Sequence, residues 1–505
     1  MISRRRFLLA SLLAPALARA SGSVPRFSAY PFSLGVASGY PAADGVALWT
    51  RLAPEPLKGG GMTAGPVEVR WEVADDAAFR RIVRRGAAMA VPENAHAVHV
   101  EVQGLAPGRE YWYRFMAGSE VSPEARTRTA PAPGKGDDRL RVALASCQQY
   151  EQGYYVAHRH LAAEDADLVA FVGDYIYESS WGQGHVRKHP DPEPRTLADY
   201  RNRYALYKGD ADLQKSHAAA PWIVTWDDHE VDNDYANDRS EDLDPDFLAR
   251  RAAAYKAFYE HMPMRRSVLV ADDLRIYGHL DWGSLARFHV LDDRQYRSHQ
   301  VCPRPNRGGS NIVGAECTAR LASDGTLLGA EQERWLDASL ADSRAQWNLV
   351  VQQTLFVPAA RTTDRGVFHW TDGWDGYPRA RERLLRSLVE RRPANPVLLG
   401  GDVHFALTAN VHAEPGKSES PVVAAELLAT SITSQGPSAF TLQRITAGNP
   451  HIRFARSTER GYAVMDIDRK GLEARLRAVD TVKRNEASAS TAHTARVESG
   501  RPGLQ

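Results

Sequence analysis

The stretch Phe171–Tyr177 has the sequence FVGDYIY and is the most informative part of the chain. The apolar run Leu168–Val172 has the length and composition of a buried strand. It stops at Gly173, and the carboxylate Asp174 follows at once, with the phenol of Tyr177 three residues later. Many strands end in a Gly-Asp turn, so this motif alone does not specify a site. A carboxylate and a phenol delivered together from a strand end do suit a hard, highly charged metal ion.

Three further apolar runs also end in side chains that bind metals. Leu140–Ser146 is followed by Cys147, Trp222–Trp226 by Asp227, Asp228 and His229, and Val397–Gly401 by Asp402 and His404. In open α/β sheets, ligands collect outside the carboxyl ends of the strands. We therefore expect the four strand ends to meet in one site.

The composition is that of an ordinary globular protein. The chain has 505 residues, 43% hydrophobic and 25% charged, which predicts a large core and two domains. Lys and Arg number 63 against 62 Asp and Glu, a net charge of +1. This balance gives no reason to expect specific affinity for nucleic acid or for an acidic membrane surface.

Residues 1–20 have the pattern of an export signal. Paired arginines in Ser3–Leu8 precede the apolar stretch Leu8–Leu17, and Ala18–Ala20 offers a small-x-small cleavage site. The apolar stretch is too short to span a bilayer, which disfavours a transmembrane anchor. We expect export by the twin-arginine machinery to the periplasm or the medium.

Residues 28–130 are predicted to form a small N-terminal β-sandwich domain. Apolar residues alternate in Val67–Val73, His99–Val102 and Tyr111–Phe115, and turns separate these segments. Nothing in this region has the pattern of a catalytic motif, so we interpret it as a structural module.

Residues 138–482, after a Pro/Gly-rich linker, are predicted to form an α/β catalytic domain. Apolar runs alternate there with helical stretches. The tail, residues 483–505, is rich in Ala, Ser and Thr and is expected to be poorly ordered. The helical stretches are Ala249–Tyr259, Ala330–Leu340 and Arg379–Glu390.

The three cysteines divide into a pair and a single residue. Cys302 and Cys317 flank a Pro/Gly-rich loop, and an exported protein permits a disulfide there. Cys147 is then unpaired. It is either a small buried apolar residue or, as its place at a strand end favours, a metal ligand.

The candidate ligands are of two chemical kinds. Asp174, Asp228 and Asp402, with the neutral carbonyl of Asn233, are hard oxygen donors that suit Ca²⁺, Mg²⁺ or Mn²⁺.

Cys147, Tyr177 and His404 form the second kind of donor. A thiolate and a phenolate must both lose a proton to bind, which favours Fe³⁺ over Ca²⁺, and phenolate is not a usual ligand of the competitor zinc. The mixture suggests two kinds of metal, with Asp174 as the bridge.

Two metals about 3.5–4 Å apart can stabilise both the attacking and the leaving oxygen of a phosphoryl group. A metal-bound hydroxide then serves as the nucleophile. The sequence contains no Gly-rich phosphate loop and no Gly-x-Ser-x-Gly elbow. Direct hydrolysis, without a side-chain nucleophile, is the predicted reaction.

Other polar residues are assigned roles near the metals. His229 either protonates the leaving oxygen or holds the phosphate, or only orients a ligand carboxylate. Arg250 or its neighbour Arg251 is a candidate partner for phosphate oxygens, with a solvated surface pair as the alternative. The cluster Trp370–Asp375 either walls the pocket or forms a surface turn. His185 and His189 lie in a Gly/Pro-rich loop and are expected to be solvated.

The motifs together resemble the PhoD-type alkaline phosphatase/phosphodiesterase family. They are Ala-Ser-Cys147-Gln, Gly-Asp174-Tyr-Ile-Tyr177, Trp-Asp-Asp228-His229-Glu and Gly-Asp402-Val-His404. The resemblance implies a metallophosphoesterase-like β-sheet core with flanking helices, similar to that of purple acid phosphatases. It also implies hydrolysis of small or polymeric phosphate esters.

The resemblance further implies one Fe³⁺ and one or two Ca²⁺ ions. By position, Cys147, Asp174 and Tyr177 would hold the iron, and Asp174, Asp228 and Asn233 the calcium. Asp402 and His404 would divide between them, in an order that the sequence leaves open. The acidic stretch 232–234 suggests an additional divalent ion.

The main prediction is thus an exported phosphatase of monoesters and diesters. Two alternatives stay open: a phospholipase D-like diesterase on the same site, which a large exposed apolar rim would favour, and a metal-stabilised binder of carbohydrate or envelope, which closed coordination spheres would favour. The oligomeric state cannot be predicted from these patterns.

Overall fold

The computed structural model describes residues 25–134, 138–270 and 273–505. The predicted signal segment 1–20 lies outside these ranges. Within them, no helix combines the length and the apolar character that crossing a membrane requires.

The described residues form the following elements in chain order. The strands before the predicted linker are β1 (Val36–Ala42), β2 (Gly45–Arg51), β3 (Val67–Ala74), β4 (Ile82–Ala90), β5 (Ala97–Gln103), β6 (Glu110–Ala117), β7 (Glu120–Val121) and β8 (Ala125–Arg128). Those that follow are β9 (Arg139–Ala145), β10 (Leu168–Val172), β11 (Trp222–Thr225), β12 (Leu269–Val270), β13 (Asp273–Leu274), β14 (Gly278–Trp282), β15 (Ala286–Val290), β16 (Ile312–Val313), β17 (Trp347–Val351), β18 (Arg361–Thr363), β19 (Gly366–Trp370), β20 (Pro396–Gly400), β21 (Ala406–His412), β22 (Val422–Leu428), β23 (Ile452–Arg456), β24 (Arg460–Asp468), β25 (Gly471–Val479) and β26 (Ala489–Glu498). The helices are α1 (Val156–Ala162), α2 (Leu197–Lys208), α3 (Ala211–Ala219), α4 (Phe247–His261), α5 (Ala319–Ala322), α6 (Ala330–Asp342), α7 (Pro378–Arg391) and α8 (Ala439–Ala447).

Two large mixed sheets form the catalytic part. The first has the order β26-β25-β24-β9-β10-β11-β1-β2-β5, and the second β14-β15-β17-β20-β22-β21-β23. In the first, β9, β10 and β11 run parallel, so that Val169 lies between Ala143 and Trp222. In the second, β15, β17, β20 and β22 run parallel. The carboxyl ends of the central strands of each sheet therefore meet at one edge.

The two sheets pack face to face, and helices cover their outer faces. Side chains such as Val142 of the first sheet and Leu349 of the second share the inner core. Helices α1 to α4 pack on the outer face of the first sheet, and α6 to α8 on that of the second. This α/β core with flanking helices confirms the predicted fold class.

The N-terminal sandwich is present, but it is continuous with the catalytic sheet. Strands β4, β3, β6 and β7, with β8 on β6, form one of its layers. Strands β1, β2 and β5 form the other, and Gly39 of β1 pairs in parallel with Trp222 of β11. Pairing with β11 removes an open edge from both sheets.

The expectation that the tail from residue 483 is poorly ordered is wrong. Strand β26 pairs with β25 along its whole length, from Ala489 opposite Val479 to Glu498 opposite Gly471. Ala495 and Val497, two residues apart, are buried against the inner core. An edge strand is held by backbone hydrogen bonds and needs few apolar side chains, so the polar composition of this segment did not reveal the strand.

The cysteines confirm the predicted pairing. A disulfide joins Cys302 to Cys317, and Cys147 is a free, buried thiol.

Candidate metal centre

Four predicted ligands leave their strands in an unusual backbone conformation. The φ angles are 59° at Cys147, 57° at Asp174, 65° at Asp402 and 57° at His404. Positive φ values are disfavoured for residues with a side chain, at a cost of order 1–3 kcal/mol each. Such strain clusters at functional sites, because the surrounding structure holds the side chains in place.

The strand ends approach one another too closely for a side chain at two positions. A Cβ at Gly173, where φ is 97°, would lie 2.5 Å from Cβ of Asp227. A Cβ at Gly401 would lie 2.4 Å from Oγ of Ser146. Glycine is therefore required where the Asp174 and Asp402 turns pass their neighbours.

Glu230 ties two of these turns together. Its Oε2 accepts hydrogen bonds from the backbone N–H groups of Asp174 at 3.1 Å and Asp227 at 2.8 Å, and its Oε1 accepts one from Tyr175. Burial, reinforced by the charge of Asp174, raises the pKa of Glu230 to about 8. Glu230 is not among the predicted site residues, although it directly follows the Asp-Asp-His motif.

The first cluster of donors contains Cys147, Asp174 and His404, with one ligand atom of each within 4.8 Å of the others. Tyr177 joins it, since its hydroxyl donates to Oδ2 of Asp174 at 2.6 Å and lies 3.2 Å from Nε2 of His404. Nδ1 of His404 lies 3.0 Å from the carbonyl oxygen of Gln435 and must donate to it. Nε2 is then free to bind a metal.

Two further clusters adjoin the first, since the second shares Asp174 with it and the third shares Asp228 with the second. Asp174, Asp228 and His229 offer atoms within 4.8 Å of one another, and so do Asp228, Asp234 and Asp372. Asp174 thus belongs to the first two groups. Among the described residues, Oδ1 of Asp174 is buried without a hydrogen-bond partner. An unsatisfied buried carboxylate oxygen where two clusters join fits a bridging metal ligand.

The protonation equilibria also fit a cation. Burial raises the pKa of the Cys147 thiol and of the Tyr177 phenol well above their usual values, and the charge of Asp174 adds to both shifts. Burial likewise raises the pKa of Asp402. Without a strongly charged cation, the thiol and the phenol stay protonated, so metal binding would release their protons.

Asp402 and Asn233 contribute oxygen atoms to the same cavity as the clusters. Asp402 accepts a hydrogen bond from the hydroxyl of Thr354. The side-chain amide of Asn233 donates to Glu241 at 2.8 Å, which leaves its carbonyl oxygen available as a ligand.

His229 belongs to the cluster of Asp174 and Asp228 and also contacts the carboxylate of Glu178. Its Nδ1 is 2.7 Å from Oε2 of Glu178, and its ring packs 4.0 Å from that of Tyr177. Burial alone would lower the pKa of His229, but the charges of Glu178, Asp228 and Asp174 outweigh burial and raise it well above its usual value. These carboxylates therefore favour the charged imidazole. Sequence reasoning missed Glu178, because no motif marks it.

At the base of the site, Arg294 compensates the buried acids. Its guanidinium pairs with Asp227, with Asp372 at 2.7 Å and, more distantly, with Asp228 at 3.5 Å. Burial would raise the pKa of Asp228, but the charges of Arg294 and His229 outweigh it and lower that pKa. Arg294 is not among the predicted site residues, because no motif marks it.

Arg250 is not where the sequence analysis expected it. Its guanidinium pairs with Asp232 at 3.0 Å and Glu193 at 2.7 Å and donates to the Tyr200 hydroxyl at 2.9 Å, and it does not line the cavity. The physical reason is that α4 packs on α2, and acidic residues of the loops before α2 and after β11 neutralise the arginine there. Arg251 instead donates to the carbonyl oxygen of Asn237 at 2.6 Å.

Residues beside the cavity also differ from expectation. His189 is buried rather than solvated, with Nε2 3.1 Å from the Tyr207 hydroxyl. In the cluster Trp370–Asp375, both tryptophans and Asp375 line the cavity, whereas Asp372 lies below it with Arg294.

The cavity has a volume of about 500 Å³ and a mixed lining. The candidate ligands Asp174, Asp228, Asp402 and His404 line it together with His229, whereas Cys147 and Tyr177 lie buried behind them. The apolar part of the lining includes Leu355, Val357, Ala359, Val403, Phe405 and Ile445. The site can therefore hold a charged group together with an organic group.

Comparison with known proteins agrees with this geometry. The family model described as PhoD-like phosphatase matches residues 142–476, and that of the PhoD-like phosphatase N-terminal domain matches residues 16–131. Alkaline phosphatase D of Bacillus subtilis (strain 168) is 46% identical over 481 residues, which cover 93% of this chain and 81% of that protein.

Solved structures give the same result. A structure of PhoD matches with a TM-score of 0.90 and 46% identity, over 95% of this chain and 93% of that one. A purple acid phosphatase from yellow lupin (Lupinus luteus) seeds matches with a TM-score of 0.52 and 13% identity, over 92% of this chain and 73% of that one, which shows a shared fold. The chain therefore belongs to the PhoD-like phosphatase family and is a phosphoesterase of the alkaline phosphatase type.

Proposed function

We propose that the protein is an exported, metal-dependent phosphatase that hydrolyses phosphate monoesters and diesters by direct attack of water on phosphorus. The observation that carries the proposal is the buried, unpartnered Oδ1 of Asp174, at the junction of two ligand clusters. A single carboxylate placed in this way can serve two ions at once.

The donor chemistry supports a division of the ligands between two kinds of ion. Cys147, Asp174, Tyr177 and His404 would hold one Fe³⁺, because thiolate and phenolate favour a highly charged ion. The oxygen donors Asp174, Asp228, Asn233 and Asp402 would hold Ca²⁺. The cluster of Asp228, Asp234 and Asp372 is the weaker candidate for a second Ca²⁺, since Arg294 already neutralises part of it.

When bound, the metals supply Lewis acidity, which neutralises charge on the phosphate oxygens and acidifies a water molecule. The protein supplies the rest. The His229 imidazolium donates a proton to the leaving oxygen, and Glu178 at Nδ1 keeps the ring charged and oriented. The Tyr177 ring, packed 4.0 Å from that of His229, restricts its rotation.

The residues that line the cavity support a route without a phosphoryl-enzyme. Among those that the structure describes, Ser179 is the only Ser, Thr or Cys. Its hydroxyl donates to Oε1 of Glu178 at 3.1 Å, so it is the one rival nucleophile to test. We expect Ser179→Ala to retain activity.

The stereochemistry at phosphorus tests the same point independently. A chiral phosphate ester should react with inversion, as a single displacement requires. Retention, or a covalent phosphoryl-protein that Ser179→Ala abolishes, would contradict direct hydrolysis.

The apolar side of the cavity supports diesters as substrates beside monoesters. A diester presents a second organic group, which Leu355, Val357 and Phe405 would contact. This wall also favours the phospholipase D-like alternative. Comparing kcat/KM for p-nitrophenyl phosphate, bis(p-nitrophenyl) phosphate and a phosphatidylcholine dispersed in detergent separates the three substrate classes. Preference for the lipid would support the alternative over the main proposal.

Export rests on the paired arginines and the small-x-small site in residues 1–20. The Cys302–Cys317 disulfide supports an oxidising destination. Replacing Arg4 and Arg5 by lysine should make the uncleaved precursor accumulate in the cytoplasm. Unchanged export of that variant would exclude the twin-arginine route.

A further inference from the structure

An apolar ladder leads away from the metal centre and ends in an arginine. Leu355, Val357, Ala359 and Arg361 alternate along the chain, and all four line the cavity. The backbone is irregular from Gln352 to Ala360, and Arg361 begins β18, but these four alternate residues all reach the cavity. The segment begins beside Thr354, whose hydroxyl donates to Asp402 at the metal centre.

The guanidinium of Arg361 has no acidic partner in the part of the chain that the structure describes. It is half-buried, and no carboxylate there lies within 4.0 Å of it. Burial lowers the pKa of Arg361, and no carboxylate offsets that shift. It is also the only Lys or Arg among the described residues that line the cavity.

Other arginines, which are buried, have acidic partners. Arg294 and Arg297 pair with Asp372, and Arg381 pairs with Asp375 at 2.6 Å. A cation that is partly removed from water without a partner costs some free energy, which an anionic ligand would recover. Arg361 differs from these three arginines in that its guanidinium is half-buried and has no acidic partner among the described residues, so it is available to a ligand.

The acids that line this cavity outside the metal clusters are already engaged. Asp375 pairs with Arg381 and accepts a hydrogen bond from the backbone of Ala359. Glu241 pairs with Arg307 at 2.9 Å and accepts the amide of Asn233. Both carboxylates are therefore already neutralised by other arginines.

We propose that Arg361 binds a second anionic group of the substrate, carried on an apolar organic arm of the ester. The phosphoryl group would lie at the metal centre, the arm would contact the ladder, and a terminal carboxylate or phosphate would pair with the guanidinium. Arginine suits this task, because its planar fork binds either oxyanion in bidentate fashion. The inference rests on the proposed phosphoester hydrolysis and names its substrate class.

The test uses non-hydrolysable phosphonates with the metal-loaded protein and isothermal titration calorimetry. Alkylphosphonates, ω-carboxyalkylphosphonates and α,ω-bisphosphonates are compared at arm lengths of about four to twelve carbons. The seven residues from Thr354 to Arg361 span at most about 25 Å when extended, which bounds the useful length. A terminal anion should tighten binding about ten-fold at one arm length, the size of a charge-assisted contact.

Variants separate the guanidinium from its surroundings. Arg361→Met should remove that gain and leave the affinity for plain alkylphosphonates within about two-fold. Arg361→Lys should keep part of the gain, because the charge is retained. Arg365, exposed at the turn between β18 and β19, is the matched control, and Arg365→Met should keep the full gain. Thermal unfolding of each variant verifies that it is folded.

The outcomes are distinguishable. An equal gain in affinity from a terminal carboxylate and a terminal phosphonate supports a general anion subsite. A gain from the bisphosphonate alone indicates a subsite for phosphate. No gain at any length, or an equal loss of alkylphosphonate affinity in Arg361→Met, would overturn the inference. If the wild-type protein neither binds any phosphonate nor hydrolyses p-nitrophenyl phosphate, the proposed function itself fails.

Discussion

The hydroxyl of Tyr177 donates a 2.6 Å hydrogen bond to Oδ2 of Asp174, while Oδ1 of the same carboxylate is buried without a partner among the residues that the structure describes. Oδ1 is therefore available as a metal ligand, and Oδ2 is occupied by the phenol as long as Tyr177 keeps its proton. For Tyr177 to become a ligand, its hydroxyl must lose the proton that it now donates to Asp174. The pair thus links metal binding to proton release.

Substituting Tyr177 tests whether the phenol is a ligand. Thiolate from Cys147 and phenolate from Tyr177 on Fe³⁺ should give the protein a visible charge-transfer band. Tyr177→Phe should shift or weaken that band in an absorption spectrum of the iron-loaded protein. A wild-type band that persists unchanged in Tyr177→Phe would exclude the phenol as a ligand.

Glu230 is expected to act on the metals through the backbone. Glu230→Gln loses acceptor capacity at the N–H groups of Asp174, Tyr175 and Asp227. Such supporting residues typically affect metal affinity by about 10–100-fold, and we expect a loss of this size for Ca²⁺ in a chelator competition assay.

The control for Glu230 is Glu426. This buried carboxylate likewise accepts two backbone hydrogen bonds, from Phe356 and Val357, but it contacts none of the proposed ligands. Glu426→Gln should change stability and leave the Ca²⁺ affinity unaltered. Equal losses in both variants would show that Glu230 acts only through general stability.

His229 is predicted to serve as the general acid. His229→Asn should lower kcat by about 10²–10⁴-fold for an alkyl phosphate. The loss should shrink for p-nitrophenyl phosphate, whose leaving group needs no proton. Glu178→Gln should give the same dependence on the leaving group with a smaller loss, because the imidazole stays in place without its charged partner. A loss independent of the leaving group would contradict this role.

The strands that lead to the site were predictable because their apolar sequence pattern agrees with their burial in the fold. The run Leu168–Val172 coincides with β10, and Pro396–Gly400 and Trp222–Thr225 differ from the predicted runs by one residue at their ends. The three predicted helical stretches lie within α4, α6 and α7. Buried strands and amphipathic helices carry their signal in consecutive residues.

Residues whose roles depend on distant partners were not predictable. Glu178 and Arg294 act on His229 and Asp228 across gaps of 51 and 66 residues. Arg250 was expected to contact phosphate from its sequence position, yet Asp232 and Glu193 already hold it. Charge pairing depends on the packing of helices, which spacing along the chain does not reveal.

His99 is predicted to make the fold sensitive to acid. Its buried Nε2 lies 3.0 Å from the carbonyl oxygens of both Tyr259 and Met262, and burial lowers its pKa to about 4. Between pH 6.5 and 4, the unfolded chain binds a proton that the folded protein does not. The free energy of unfolding therefore falls as the pH is lowered through this window, by about 3 kcal/mol for this residue.

Urea unfolding at pH 7.5 and pH 4.5 measures this effect. His99→Gln keeps an N–H donor and should lose less stability on acidification than the wild-type protein. His279→Gln, at an exposed position, should behave as wild type. Identical loss of stability on acidification in all three proteins would show that His99 does not contribute to it.

The metal content of the native protein tests the central claim most directly. Elemental analysis of protein purified from the exported fraction should find one iron and one or two calcium ions per chain. Asp174→Asn should lose both metals together and should have no measurable phosphatase activity, because one carboxylate joins the two sites. Native protein that is active with zinc alone, or Asp174→Asn that keeps its full metal content, would contradict the account.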